Sequence, residues 1–294
     1  MKLGLGTVQF GQNYGVSNSH GKSPLSEVER ILDLAALRGI RVLDTAPAYG
    51  TSEEVLGHLL SCVHRFLIVT KTPKFPGRQI TNRDAEILES TFLDSLRKLR
   101  QSQIYSLLIH DADSLLAPGS ELLVDKLLEL KRRGFVQKIG FSAYTPVQVK
   151  QILARFTVDI VQIPFSVLDQ RMRLEGCLKQ LKQSGIEIHA RSVFLQGLLL
   201  MQPDRLPSYF AGIKTHLERY HRHVRDRGLS KVRAALGFAM NTEELDVVLC
   251  GVTSCQELIA LISEMNLPYN GDGLQDFVIE DPAILNPSSW SLKQ

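Results

Sequence analysis

Short β-rich apolar runs alternate along this chain with stretches of helical periodicity. The runs are Lys2–Thr7, Arg41–Asp44, Phe66–Thr70, Ser106–Ile109, Lys138–Phe141, Ile160–Ile163, Glu187–Ala190 and Val247–Cys250. Each is rich in Val, Ile, Leu or Phe and bounded by Gly, Pro or polar residues, as expected of strands buried on both faces. In the first helical stretch, Leu25, Val28, Ile31, Leu32 and Ala35 form one apolar stripe. Ser23 is placed to cap it, Pro24 suits its first position and Gly39 its end. Similar stripes run through Asp84–Leu99, Glu121–Arg132, Pro146–Arg155, Met172–Gln183 and Lys231–Ala239.

Strands separated by helices predict a parallel sheet, because parallel neighbours need crossover connections. Eight of them predict a single α/β domain folded as a closed (β/α)8 TIM barrel. A doubly wound open sheet is the structural alternative. Two segments interrupt the alternation, Pro203–Gly228 and Asn266–Gln294. The second, rich in Pro, Gly, Ser and Asp, reads as a C-terminal tail or loop (266–294) packed on a barrel formed by residues 1–265.

Composition narrows the function. The 34 Lys and Arg exceed the 31 Asp and Glu by 3 in 294 residues, so no strong field is available to capture nucleic acid or an acidic membrane. No run approaches the ~18 uncharged apolar residues of a membrane span. Cysteines at 62, 177, 250 and 255 form no CxxC, which argues against a disulfide scaffold or structural zinc site. Met1–Gly6 lacks the apolar run of a secretory leader. A reducing, cytoplasmic location is expected.

Barrel chemistry sits at the C-terminal ends of strands. The residues closing the eight runs are Thr7, Asp44, Lys71, His110, Ser142, Gln162, Arg191 and Gly251, and Tyr49 follows Asp44 in a short loop. A phenol, with pKa ~10, is a poor acid at neutral pH. A neighbouring ammonium favours its phenolate, and a carboxylate can hold that ammonium in place. A histidine can hydrogen-bond a substrate oxygen or relay a proton. Beside a hydride donor, such a set would reduce a carbonyl.

These residues lie in segments that resemble the aldo/keto reductase superfamily over roughly residues 2 to 262. The segments are Leu3-Gly4-Leu5-Gly6-Thr7-Val8, Leu43-Asp44-Thr45-Ala46-Pro47-Ala48-Tyr49-Gly50 with Ser52-Glu53-Glu54-Val55-Leu56-Gly57, Val69-Thr70-Lys71 and Leu108-Ile109-His110. The resemblance implies a barrel that binds NADP or NAD without a Rossmann domain. It also implies Tyr49 as general acid, Lys71 and Asp44 tuning it, and His110 orienting a small-molecule carbonyl substrate. By the same resemblance Thr7, Val8 and Asp44 lie at the cofactor, and Ser142 and Gln162 hold its nicotinamide amide. Ala143 stands where the family usually has Asn. The segment Arg191-Ser192-Val193-Phe194-Leu195-Gln196-Gly197 corresponds to the cofactor-binding stretch after the seventh strand, with Arg191 at a position often aromatic and stacked on nicotinamide. In the segment Gly251–Glu257, Thr253 and Ser254 fall where NADPH-preferring members carry cations for the 2′-phosphate, and Glu257 and Leu261 replace the Gln and Asn that usually hold the adenosine. A neutral pocket there predicts NADPH and NADH affinities within ~10-fold.

Other features admit plainer readings. Gly4, Gly6 and Gly11 make a poor dinucleotide fingerprint, because the third Gly falls too late. They read as a flat turn after the first strand. His216, Arg219, His221, Arg222, His223, Arg225 and Arg227 read as a solvated helix face. His221 and His223 fall on different faces and so make no metal pair. Phe10, Tyr14, Phe75 and Trp290 are expected to line a partly apolar mouth suited to a sugar-like carbonyl. A Schiff-base aldolase would leave the Asp44–Tyr49 segment unexplained, and a glycosidase needs paired carboxylates that Glu187, at a strand start, cannot supply. A non-catalytic dinucleotide-binding, redox-sensing subunit is the alternative to an enzyme.

Overall fold

The computed structural model describes residues 1–60, 66–75 and 77–290, so Cys62 lies outside the described residues. Eight strands form the sheet: β1 (Leu3–Gly6), β2 (Val42–Asp44), β3 (Leu67–Lys71), β4 (Ile104–Ile109), β5 (Val136–Ser142), β6 (Ile160–Pro164), β7 (Glu187–Arg191) and β8 (Val247–Gly251). Each pairs in parallel with the next in sequence, and β8 pairs with β1 through Leu3–Val248 and Gly6–Gly251, closing the barrel. The protein is thus a (β/α)8 barrel, and the open-sheet alternative falls.

Strand periodicity of two decides what enters the barrel. Val42, Val69, Leu108, Ile160, Val247 and Leu249 form one apolar cluster. Near its lower end Glu187 accepts hydrogen bonds from Tyr105 (2.6 Å), the His189 ring (2.6 Å) and Lys138. Burial alone would raise the Glu187 pKa; the bonds from His189, Lys138 and Tyr105 prevail and hold it down at about 2. Two residues above Val42, Val69, Leu108 and Ile160, on the same face of their strands, come the chemistry-bearing side chains of Asp44, Lys71, His110 and Gln162.

The surrounding helices follow their apolar stripes. The helix Asn82–Leu99 buries Ala85, Leu88, Phe92, Leu96 and Leu99, and Asp84 returns to the Thr81 N–H (2.8 Å) and hydroxyl (2.7 Å) at its start. Four local expectations are corrected. Ser23 does not cap the helix Leu25–Leu37; Pro24 holds the cap position, and the Ser23 hydroxyl donates instead to Thr253 O at 2.9 Å. The Met172–Gln183 stripe is two short helices, Arg171–Leu174 and Cys177–Gln183, parted where Gly176 takes φ +75°. Gly4 and Gly6 lie within β1 and not in a turn after it. The histidines of the helix Lys214–Asp226 are not simply solvated: His216 bonds Phe277 O, His221 bonds Leu199 O and His223 bonds Asp272 O, at 2.9, 3.0 and 2.9 Å. Two of these contacts fasten the C-terminal segment, which also buries Leu274, Phe277, Ile284 and Leu285. Trp290 packs edge-on against Phe210 with centroids 4.8 Å apart.

Candidate active site

The upper ends of the strands open into a cavity of about 580 Å³, within the ordinary range for small-molecule and cofactor sites. Its lining includes Asp44, Tyr49, Lys71, His110, Ser142, Gln162, Arg191, Thr253, Glu257 and Leu261. Four residues remote in sequence therefore meet in one cavity, which the turn after the eighth strand also lines.

Lys71 is 1% exposed, and its ammonium has three acceptors: Asp44 Oδ1 at 2.8 Å, Asp44 Oδ2 at 2.7 Å and Thr45 O at 2.9 Å. Gln162 Nε2 adds a bond to Asp44 Oδ1 at 2.7 Å, and its Oε1 accepts from Ser142 Oγ at 3.4 Å. The backbone carbonyl of Asp44 is held by the Thr7 N–H and hydroxyl, both at 3.0 Å. Burial lowers the Lys71 pKa, while the Asp44 carboxylate pulls the other way. A buried charge survives only when paired and hydrogen-bonded in this manner.

Tyr49 is carried by the loop between β2 and the helix Ser52–Leu59. Gly11 makes room for that loop: a Cβ there would lie 1.8 Å from Tyr49 O. The Lys71 ammonium sits 4.9 Å from the Tyr49 ring centroid, and its nearest bonds go to Asp44 and Thr45. The expectation of a phenolate favoured by Lys71 is therefore corrected. Burial first, and the Asp44 carboxylate second, push Tyr49 well above the ordinary phenol value, with only Arg191 opposing appreciably. The His110 ring meets Tyr49 edge-on at 6.1 Å. Burial, then the Lys71, Lys74 and Arg191 charges, press the His110 pKa down to about 3, so its imidazole is neutral at physiological pH. Its Nδ1 is buried without a hydrogen-bond partner among the described residues.

Arg191 lies over the Tyr144 ring, 4.2 Å from its centroid, and donates to Ala143 O at 3.0 Å. Its π-partner is thus a side chain of the next-but-one strand end, a contact that sequence order does not reveal. Beyond it, Ser192, Leu195 and Gln196 take positive φ (62°, 45° and 53°) and Gly197 takes +92°, a costly bend for non-glycine residues that lines the cavity. Thr7, Val8, Ser192, Phe194, Gln196, Gly197, Gly251, Thr253 and Glu257 all face this space. Ser254 does not; it caps the helix Cys255–Met265, accepting from Glu257 N at 3.2 Å. Phe10 and Phe75 are buried in the core and Trp290 packs on Phe210, so among the expected aromatic liners only Tyr14 faces the cavity. Tyr144 is the liner that sequence reading missed, since nothing in its flanking residues marks it.

The arrangement fits a nicotinamide dinucleotide. Gly6 and Gly251 pair side by side on the cavity floor, and a Cβ on Gly251 would strike the Gln9 amide at 2.6 Å. No group of three or more His, Cys, Asp or Glu able to hold a metal ion occurs among the described residues. Nor is any described helix long and apolar enough to cross a membrane.

Comparison with known proteins agrees with this geometry. The chain is 29% identical over 179 residues to an NADH-specific methylglyoxal reductase of Escherichia coli, covering 55% of this chain and 54% of that protein. The match thus spans about half the length of that relative. It is 25% identical to an L-galactose dehydrogenase of Arabidopsis thaliana, over 97% of this chain and 90% of the other. Both relatives are named as oxidoreductases. A holo-form aldo-keto reductase structure from Bacillus halodurans superposes with a TM-score of 0.73 at 20% identity, covering 94% of this chain and 90% of that one, which speaks for the fold. The family model described as the Aldo/keto reductase family matches residues 2–277. With nearly the whole chain matched, barrel and mouth together, the protein belongs to the aldo/keto reductase family.

Proposed function

We propose that this protein reduces the carbonyl group of a small, sugar-like compound to an alcohol, using NADH or NADPH. The observation that carries the reading is the convergence of Asp44, Tyr49, Lys71 and His110 in one cavity. The relatives named for methylglyoxal and L-galactose support a small carbonyl or sugar substrate.

The dinucleotide, when bound, supplies the hydride. Tyr49, held protonated by burial, donates its proton to the substrate oxygen. The Arg191 charge favours the phenolate left behind. Asp44 fixes the position of Lys71, and Gln162 in turn braces Asp44. Neutral His110 orients the substrate oxygen by a hydrogen bond from its ring. Ser142 and the remaining amide groups of Gln162 hold the carboxamide of the dinucleotide. Arg191 through Gly197, with Thr7, Val8, Gly251, Thr253 and Glu257, line its path.

In this reading residues 1–265 form the barrel and 266–294 a tail, whose described part, 266–290, folds with it, supported by burial of Leu274 and Phe277. Unpaired, buried Cys177, Cys250 and Cys255 support a reducing, cytoplasmic setting. The test is reduction of methylglyoxal and of short aldoses by the wild type and Tyr49→Phe. A fall in kcat of ~10²–10⁴, with dinucleotide affinity kept within a few-fold, is expected. Full activity in the variant removes Tyr49 from its role, and binding without wild-type turnover of any carbonyl favours the non-catalytic subunit.

A further inference from the structure

The cavity that holds Tyr49 is also lined by Thr253, Glu257 and Leu261, at and beyond the start of the helix Cys255–Met265. The first N–H groups of a helix lack intrahelical partners and, with the helix dipole, make a natural seat for an anion. Here the chain's own carboxylates occupy that seat. Glu257 Oε2 accepts from Thr253 N at 2.6 Å, and Glu27 Oε1, from the packed helix Leu25–Leu37, accepts from Cys255 N at 2.5 Å. The remaining oxygen of Glu27 pairs with Arg30 at 3.0 Å, on the solvent side; neither Glu27 nor Arg30 lines the cavity, whereas Glu257 does. Glu257 therefore places a carboxylate beside Thr253, where Thr253 and Ser254 suggest a neutral pocket in sequence.

Resting on the reductase reading, we propose that Glu257, seconded by Glu27, makes this protein selective for NADH over NADPH. With the reactive ring beside Tyr49, an extended dinucleotide brings its adenosine ribose to the Thr253–Glu257 end. A ribose hydroxyl is neutral and can donate to a carboxylate, the use other dinucleotide folds make of an acidic residue. A 2′-phosphate in the same place brings about two negative charges against a carboxylate and finds the Thr253 and Cys255 N–H groups already taken. Discrimination thus comes from repulsion as much as from attraction.

The experiment is a titration of nicotinamide fluorescence with NADH and NADPH for the wild type, Glu257→Gln, Glu27→Gln and Arg30→Gln. Calorimetric titration with ADP-ribose and 2′-phospho-ADP-ribose repeats the comparison without the nicotinamide. Glutamine keeps an acceptor for the Thr253 or Cys255 N–H, so the helix start survives, and thermal melts check that it does. We expect NADH to bind at least 30-fold more tightly than NADPH, and Glu257→Gln to shrink the ratio about tenfold, mainly by improving NADPH binding. Glu27→Gln shrinks it less. Equal affinities, a ratio unchanged in Glu257→Gln, or an NADPH preference that Arg30→Gln removes would overturn the inference and leave the reductase reading standing. Failure of both dinucleotides to bind overturns both.

Discussion

Replacing Lys71 by Met tests the most heavily constrained part of the site. Methionine retains the length of the buried stem but removes the ammonium and its three contacts to Asp44 and Thr45. Asp44, 5% exposed, is left with the Gln162 amide as its side-chain partner. Removing one member of a buried ion pair costs about 3–5 kcal/mol, because the other charge remains desolvated. An unfolding entropy of ~2.1 cal/mol/K per residue gives ~0.6 kcal/mol/K for this chain length, so the loss lowers Tm by about 5–8 °C. Melts followed by circular dichroism at pH 8 should show that loss. The double variant Asp44→Asn/Lys71→Met, which leaves neither charge of the pair buried, should recover much of the stability. A Tm fall below ~2 °C at pH 8, or no recovery in the double variant, would refute the argument that the pair is held by mutual desolvation.

His110, pressed down to about 3 by burial and nearby cations, should leave no ionisation near pH 6.5 in a kcat profile between pH 5 and 8. Its depressed pKa also means that the stability it supplies is present above pH ~6.5 and is lost as pH falls towards 3; His110→Gln should flatten that part of the acid-unfolding curve. Gly11→Ala should act on catalysis through the backbone. Its Cβ would lie 1.8 Å from Tyr49 O, so the loop carrying the phenol must move by about 1 Å. Misplacement on that scale costs ~10²-fold in kcat, whereas dinucleotide affinity, measured by fluorescence, should change far less.

Much of the site was legible in the sequence because a parallel barrel brings the ends of all its strands to one mouth. Once β2, β3 and β4 were recognised, Asp44, Lys71 and His110 had to be neighbours, whatever lay between them. The same logic failed wherever a side chain's role depends on packing between elements. Ser254 is a helix cap and faces away from the cavity, and Ser23 reaches Thr253 instead of capping its own helix. Phe10, on the short helix Val8–Gly11, and Phe75 are buried in the core and do not line the mouth.

Periodicity and strand-end chemistry alone determined the barrel, its eight units and the meeting of Asp44, Tyr49, Lys71 and His110 at its mouth, since both signals are local and repeat with each strand and helix. The tertiary structure decided the electrostatics. It showed that burial overrides Lys71 at the Tyr49 phenol, that Arg191 rests on Tyr144, and that Glu27 and Glu257 converge on one helix start. Desolvation depends on everything that surrounds a group, and Glu27 and Cys255 are separated by 228 positions; no local pattern in a linear chain encodes either.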